Sequence, residues 1–181
     1  MVVDARRAKF ELRPLVADDA QRISALAGDR AISDNMLSLP HPFPLPEVRR
    51  FVESCQHDER IGRGVHRAMV DANELVGVVA VRDIDSANRT AELSFWVGKP
   101  FWGRGVATRG ATQMIRIAFE YHAINRLAAH AFVGDAASER VLQTVGFQHE
   151  GIERERILKY GKFMDVSLCA LLRSQWSDSQ K

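Results

Sequence analysis

The chain has 181 residues, of which 46% are hydrophobic and 27% charged, so we expect residues 1–181 to form one globular domain. The net charge of +2 argues against bulk nucleic-acid binding, and the longest apolar run is too short to span a bilayer. The charged N-terminus lacks the apolar core of a secretory signal. Cys55 and Cys169 fall on predicted apolar faces without metal-ligand spacing, which favours buried thiols in a reducing cytoplasm.

The first part of the chain predicts a strand followed by helices. Residues 10–15 alternate as a strand, and Asp18 is a candidate N-cap for a helix that Gly28 ends. A second helix begins near Pro46. The segment 36–46 between the helices contains four prolines, which prevent regular structure over most of it. Such a segment either shapes a binding mouth or forms a rigid surface connection, and the sequence favours neither.

The rest of the chain predicts most of a sheet. Residues 64–70 and 75–81 form a predicted hairpin, and the second run is almost wholly apolar, as in a central strand covered on both faces. The later predicted elements are a strand at 90–97, an amphipathic helix after residue 105, a strand at 126–133, a helix capped by Asp135 and ended by Gly146, and strands at 150–156 and 163–172. This order predicts an α/β fold with a mixed sheet of about seven strands and helices on both faces.

The turn between the strand at 90–97 and the next helix carries the most informative pattern. From Val97 to Arg109 it reads V-G-K-P-F-W-G-R-G-V-A-T-R. Gly103 and Gly105 let the main chain approach a ligand that a side chain would block. The first amides of the helix lack intrahelical partners and carry the positive end of its dipole. With the charges of Arg104 and Arg109 nearby, the turn is interpreted as a pyrophosphate cradle.

The same glycines also suit a plain tight turn, which accounts for them about as well as a phosphate site does. A P-loop needs a following lysine and serine or threonine, but Gly105 precedes valine and alanine. A dinucleotide fingerprint needs glycine or alanine where Thr108 stands, and the acid about 20 residues on, Glu120, falls inside the predicted helix. Both nucleotide motifs therefore fit poorly.

Five separated motifs occur in a recognisable order. They are F-E-L-R-P-L near the start, L-P-H-P-F-P before the second helix, A-E-L-S-F-W-V leading into F-W-G-R-G-V-A-T, D-A-A-S-E-R-V-L-Q-T-V-G-F, and D-V-S-L-C-A-L-L with a closing tryptophan. As a set they resemble the GNAT N-acetyltransferase superfamily, and within it the Rim-type ribosomal-protein N-terminal acetyltransferases. The resemblance covers roughly residues 10–176. It implies a mostly antiparallel twisted sheet that splays between strands 4 and 5, and an acetyl-CoA-dependent N-acetyltransferase without a metal.

The resemblance also implies which residues contact the cofactor. Main-chain amides of the turn would hold the pyrophosphate of coenzyme A, and the backbone of two strand residues would pair with the pantetheine arm. Trp102 stands at a family glutamine or arginine position. Asp135 replaces a family asparagine, so it can accept but not donate a hydrogen bond. The implied contacts are Trp96, Val97, Trp102, Gly103, Arg104, Gly105, Val106, Ala107, Thr108, Asp135 and Ser138.

Acetyl transfer to an amine needs a proton acceptor, an oxyanion donor and a proton for the leaving thiolate. We hypothesise that Glu92 accepts the amine proton through water, the alternative being a cross-strand ion pair with Arg82 or Arg126. Ser138 is the candidate acid, because Leu142 stands where many GNAT members have a tyrosine; a serine that aids helix capping is the alternative. The amide of a strand residue, that of Val97, is the natural oxyanion donor.

The remaining expectations concern partners. No cysteine lies in the motifs that would contact the cofactor, which favours direct attack in a ternary complex by a primary amine, either a protein N-terminal α-amine or a small molecule. A catalytically silent coenzyme A-binding module is the alternative, and NAD binding a weaker one. His130 and His66 are interpreted as core residues of strands. An exposed last strand would allow a homodimer.

Overall fold

The computed structural model describes residues 10–179. The charged N-terminal residues that argued against a secretory signal lie outside this range. The elements, in chain order, are β1 (Glu11–Pro14), α1 (Asp19–Ala27), α2 (Arg30–Asn35), α3 (Leu45–Arg60), β2 (Val65–Asp71), β3 (Glu74–Asp85), β4 (Thr90–Val97), α4 (Val106–Tyr121), β5 (Arg126–Phe132), α5 (Ala136–Thr144), β6 (Gln148–Lys159), β7 (Lys162–Leu172) and α6 (Arg173–Ser179). A short 3-10 turn, Lys99–Phe101, follows β4.

The seven strands form one sheet in the order β1-β2-β3-β4-β5-β7-β6. Every pair is antiparallel except β4 and β5. Those two strands pair only from Thr90–Glu92 to Arg126–Ala128, and they separate beyond that point. The predicted seven-stranded sheet with a splay between strands 4 and 5 is confirmed. We call the opening between the two strands the gap.

Apolar side chains cover both faces of the sheet. On one face α4 packs its buried stripe, which includes Met114 and Phe119, against β3 and β4. On the other face α1 and α3 pack against residues of β2 and β3 such as Ala68 and Val78. Residues 75–81 of β3 are all buried, as expected of a central strand that both helical layers cover.

Several predicted ends of elements are confirmed. Gly146 has φ +97°, and the amides of Gly146 and Phe147 bond to the carbonyls of Gln143 and Leu142. This is the left-handed Schellman cap expected after α5. Asp135 caps the other end of α5, where its Oδ1 accepts from the Ser138 amide at 3.1 Å.

α1 begins where the sequence predicts, whereas α2 was not predicted. Asp18 stands at the N-cap of α1, but its side chain makes no capping hydrogen bond within the described part of the chain. The buried Asp19 instead accepts from the Val16 amide at 2.9 Å and from both terminal nitrogens of Arg13 at 2.6 and 2.7 Å. The buried Asp19 carboxylate therefore joins α1 to the end of β1.

We expect Asp19→Asn to lower the free energy of unfolding by about 2 kcal/mol, because it weakens charge-assisted hydrogen bonds. Burial alone would raise the pKa of Asp19, but Arg13 and the Val16 amide hold that pKa below its ordinary value. The stabilisation is thus present above pH ~3.9, the ordinary aspartate pKa, and lost as pH falls through the lowered value. Thermal melts between neutral and acid pH measure it. The exposed neighbour supplies the control, since Asp18→Asn should leave Tm unchanged; an equal loss in both variants would contradict the assignment.

Within residues 10–179, no helix is both long and apolar enough to cross a bilayer. In the same part of the chain, no group of three or more His, Cys, Asp and Glu side chains is placed so that it could hold a metal ion.

Candidate active site

The gap exposes main-chain groups of β4. Gly98 donates to the carbonyl of Val76 at 2.8 Å, and Val97 is the Cα partner of Gly77. In an antiparallel ladder the hydrogen-bonding direction alternates with each residue. The main chain of Trp96 therefore faces β3, whereas that of Phe95 and Val97 faces the gap. This corrects the expectation that the Trp96 backbone pairs with a ligand in the gap, although its side chain still lines the space there.

Beside the gap, the turn before α4 opens onto a cavity of about 450 Å³, which we call the outer cavity. Gly103 and Gly105 have φ +73° and +70°, values that favour glycine, and a Cβ on either would meet no protein atom within 4 Å. Gly105 is the N-cap of α4, and no side chain among residues 10–179 caps this helix end. The first amides of a 16-residue helix are thus left to a ligand in the outer cavity.

The structure brings ten of the eleven predicted cofactor residues to the lining of the outer cavity. The exception is Arg104, which stacks on the ring of Phe101 at 5.5 Å. Arg109, whose charge we expected near the turn, points away: it lies 4.4 Å from the centre of the Phe10 ring and pairs with Asp71 at 3.3 Å. Positive charge comes instead from Arg140 of α5, which lines the cavity and was not predicted from the sequence.

Trp102 has a clear local role. Its indole nitrogen donates to the Val97 carbonyl at 2.6 Å, across the turn that leads from β4 to α4. The carbonyl of Val97 is therefore occupied, while its amide still faces the gap. A tryptophan at this position holds the end of β4 rather than offering a free polar group.

A second, smaller cavity of about 130 Å³ lies on the other side of the gap, and we call it the inner cavity. Its lining includes both predicted catalytic residues, Glu92 and Ser138. Ser138 also lines the outer cavity, as do Asn35, Met36, Phe95 and Trp96. The two cavities therefore meet at Ser138, which is the position that a leaving group between a cofactor and an acceptor would need.

Glu92 lies among charged partners in the inner cavity. Its Oε1 is 2.6 Å from an Arg82 nitrogen, and its Oε2 is 3.4 Å from His130 Nδ1. The cross-strand ion pair with Arg82, the alternative role for Glu92, is thus present, whereas Arg126 pairs with Glu150. Burial alone would raise the pKa of Glu92, but the contacts with His130 and Arg82 outweigh it and keep the pKa below its ordinary value.

Other predicted candidates lie elsewhere. Both cysteines are buried, and burial raises the pKa of Cys55 to about 12 and also raises that of Cys169, so neither is a ready thiolate nucleophile. Of the proline-containing segment, Met36 and Leu39 line the inner cavity. The prolines themselves do not line either cavity.

Two contributors to the inner cavity were not predicted from the sequence. His130 was interpreted as a core residue, but it lies between two carboxylates. Asn35, at the end of the unpredicted α2, lines both cavities. The helical signal in α2 is weak because it has only six residues.

One independent observation supports a fit between the outer cavity and the pantetheine arm of coenzyme A. Asp135 Oδ2 is buried and has no hydrogen-bond partner among residues 10–179, although Oδ1 caps α5. A buried carboxylate oxygen that lacks a partner is costly, and an amide N–H of a ligand would satisfy it. Asp135 lines the outer cavity, so that ligand would lie there.

Comparisons with known proteins agree with this geometry. The family model described as the acetyltransferase (GNAT) domain matches residues 9–148. YdaF of Bacillus subtilis, whose name assigns it provisionally to the ribosomal N-acetyltransferases, is 32% identical over 113 residues, or 62% of each chain. RimL, a ribosomal alpha-N-protein acetyltransferase solved with coenzyme A, superposes with a TM-score of 0.85 at 18% identity over 95% of this chain and 98% of that one. The Vibrio cholerae spermidine N-acetyltransferase with CoA and spermine superposes with a TM-score of 0.82 at 22% identity, over 93% of this chain and 98% of that one. At 18% and 22% identity, these two structures show a similarity of fold alone.

Proposed function

Since the chain belongs to the acetyltransferase (GNAT) family, as an N-acetyltransferase that uses acetyl-CoA, we propose that it acetylates a primary amine by direct attack in a ternary complex. The observation that carries this proposal is the pair of cavities that meet at Ser138 across the gap. The outer cavity would hold acetyl-CoA and the inner cavity the acceptor. The unreactive cysteines favour direct attack over a covalent enzyme intermediate.

The cofactor would be held mostly by main-chain groups. The amides from Gly103 to Thr108 would bind the pyrophosphate at the N-terminus of α4, with Arg140 adding charge. The open main-chain groups of Phe95 would pair with the pantetheine arm as a neighbouring strand does, which leaves the Val97 amide for the thioester oxygen. Asp135 Oδ2 would accept from an amide of that arm. Bound in this way, acetyl-CoA would have its thioester at the junction of the two cavities.

The transfer itself needs three groups of this chain. Glu92 would take the proton of the incoming ammonium through water, which leaves a neutral amine to attack the thioester carbonyl. The Val97 amide, which faces the gap, would donate to the oxyanion that forms. When the C–S bond breaks, the thiolate would take the hydroxyl proton of Ser138, and the attacking nitrogen would lose its second proton as the neutral amide forms, which restores the proton of Ser138 through solvent.

We expect Ser138→Ala to lower kcat by about tenfold and to leave the acetyl-CoA KM within about twofold, because the hydroxyl acts on the leaving group. The cap of α5 survives this change, since Asp135 accepts from the Ser138 backbone amide. Steady-state kinetics with acetyl-CoA varied at saturating acceptor provide the measurement. Full turnover in the variant would mean that water protonates the thiolate.

The lining of the inner cavity favours an acceptor that carries a single amine next to a small apolar group. Apolar side chains such as Phe51, Val78 and Leu142 make up most of its lining. Among the described residues Glu92 is its one lining carboxylate, and Arg82 and His130 already engage it, so a second cationic group of a polyamine would find no acidic partner there. A peptide α-amine, with a pKa near ~8, also needs less deprotonation than a lysine amine near ~10.4. We therefore place a protein N-terminal α-amine first and a small amine second.

An acceptor screen tests this function. Release of free thiol from acetyl-CoA is followed with peptides that differ in their first residue, with spermidine and with simple amines. We expect turnover with a peptide whose first side chain is small. Binding of acetyl-CoA without turnover on any amine would instead support a silent coenzyme A-binding module. The buried thiols fit a cytoplasmic location for this activity.

A further inference from the structure

His130 is held between two carboxylates from different strands. On one side its Nδ1 is 3.4 Å from Glu92 Oε2, and on the other its Nε2 is 3.3 Å from Glu153 Oε2. The three residues come from β5, β4 and β6. An imidazole can take up a proton on one ring nitrogen and release one from the other. Each nitrogen here faces a different acidic group.

The three side chains run from the inner cavity toward solvent. The exposed fraction of the side chain rises from 10% at His130 and 18% at Glu92 to 35% at Glu153, and reaches 46% at Arg156, which lies 3.1 Å from Glu153. Glu92 and His130 line the inner cavity, whereas Glu153 does not. The row therefore begins beside the proposed acceptor and ends at the surface.

Further charged and titratable groups surround this row. Arg82 of β3 pairs with Glu92, and Arg156 of β6 pairs with Glu153. His66 of β2 is a further titratable group on the lining of the inner cavity. Glu92 keeps its carboxylate form because His130 and Arg82 hold its pKa low, so a proton that reaches Glu92 does not stay there. It needs an onward acceptor, and His130 is the adjacent one.

We propose that His130 relays the proton of the acceptor amine from Glu92 to Glu153 and so to solvent. This inference rests on the proposed function, in which Glu92 receives that proton. The N–H bond of the ammonium breaks as a bridging water takes its proton, and that water gives up a proton as an O–H bond forms on Glu92. That O–H bond breaks as Nδ1 of His130 gains a hydrogen, and Nε2 loses its hydrogen to Glu153, which passes it to water. His130 is a positioning and relay residue that acts through Glu92. The relay requires its contacts of 3.4 Å with Glu92 and 3.3 Å with Glu153 Oε2, which accepts no hydrogen bond from the described residues, to tighten into hydrogen bonds when the acceptor binds.

The experiment replaces the relay by a side chain that keeps polar contacts but cannot carry a proton. We expect His130→Gln to lower kcat by about tenfold while the acetyl-CoA KM stays within about twofold. Added imidazole buffer should restore much of the lost kcat, because a free base can take the proton from Glu92, and wild-type turnover should not depend on buffer. Glu153→Gln should show a smaller loss with the same rescue. His149→Gln, an exposed histidine of β6 away from both cavities, is the matched control and should behave as wild type.

The outcomes separate the relay from the function on which it rests. Unchanged kcat in His130→Gln, or a loss that imidazole does not restore, overturns the relay while the wild-type activity stands. If His130→Gln fails to fold, the half-exposed Glu153→Gln decides by the same criteria. A wild-type protein that releases no thiol with any amine refutes the proposed function and the relay together.

Discussion

Glu92→Gln is expected to lower kcat by about a hundredfold at neutral pH, because an amide cannot accept the amine proton. The acetyl-CoA KM should change little, since Glu92 lines the inner and not the outer cavity. The lowered pKa keeps Glu92 ionised down to acid pH, so the wild-type rate should not fall for want of this carboxylate until pH drops below the ordinary glutamate value near ~4.3. Rates at saturating acetyl-CoA across pH measure both effects.

The control for this variant removes an equivalent ion pair elsewhere. Glu150→Gln takes the carboxylate from Arg126, a cross-strand pair outside both cavities. It should leave kcat unchanged. If Glu92→Gln and Glu150→Gln lose similar amounts of stability and neither loses activity, Glu92 serves only as the ion-pair partner of Arg82.

Gly105→Ala should raise the acetyl-CoA KM by about tenfold or more. At φ +70° a Cβ costs about 1–2 kcal/mol, and relief of that strain would move the N-terminus of α4. The new methyl group would also project into open space at the outer cavity, where no protein atom lies within 4 Å. Steady-state kinetics in acetyl-CoA give the KM, and thermal melts give the stability.

Gly62→Ala separates strain from ligand contact. Gly62 has φ +72°, equally open surroundings and a position outside both cavities. Both variants should lose similar stability, but this one should keep the wild-type KM. Equal KM values in the two variants would mean that the turn before α4 does not contact the cofactor.

Much of the fold could be predicted from local patterns. The helical spacing of apolar residues in α4 reflects one buried face, and the apolar run of β3 reflects burial on both faces. The structure has both elements. Gly146 ends α5 as its chemistry predicts. At α1 the N-cap position could be predicted but the role of Asp19 could not, because Arg13 engages Asp19 from β1, six residues earlier in the chain.

The site was predictable where the chemistry is local and not where it depends on register. The turn from Gly103 to Thr108 is one continuous segment, so its residues and its geometry could be read together. His130 and its two partners lie on three different strands, and their meeting depends on the parallel pairing of Glu92 with Ala128 and on an irregularity of β6 after Glu153. No sequence pattern sets either of these. In isolation A-A-H-A-F resembles a core strand.

The proposed mechanism depends most on a diphosphate held by the main chain between Gly103 and Thr108. Isothermal titration calorimetry with coenzyme A and with pantetheine, which lacks the diphosphate and the nucleotide, measures that contact. We expect coenzyme A to bind the wild type with measurable heat and to bind Gly105→Ala more weakly. Pantetheine should bind the wild type far more weakly than coenzyme A does. Its affinity should be the same for the wild type and for Gly105→Ala. Equal affinities for coenzyme A and pantetheine, or no heat with either, would contradict it.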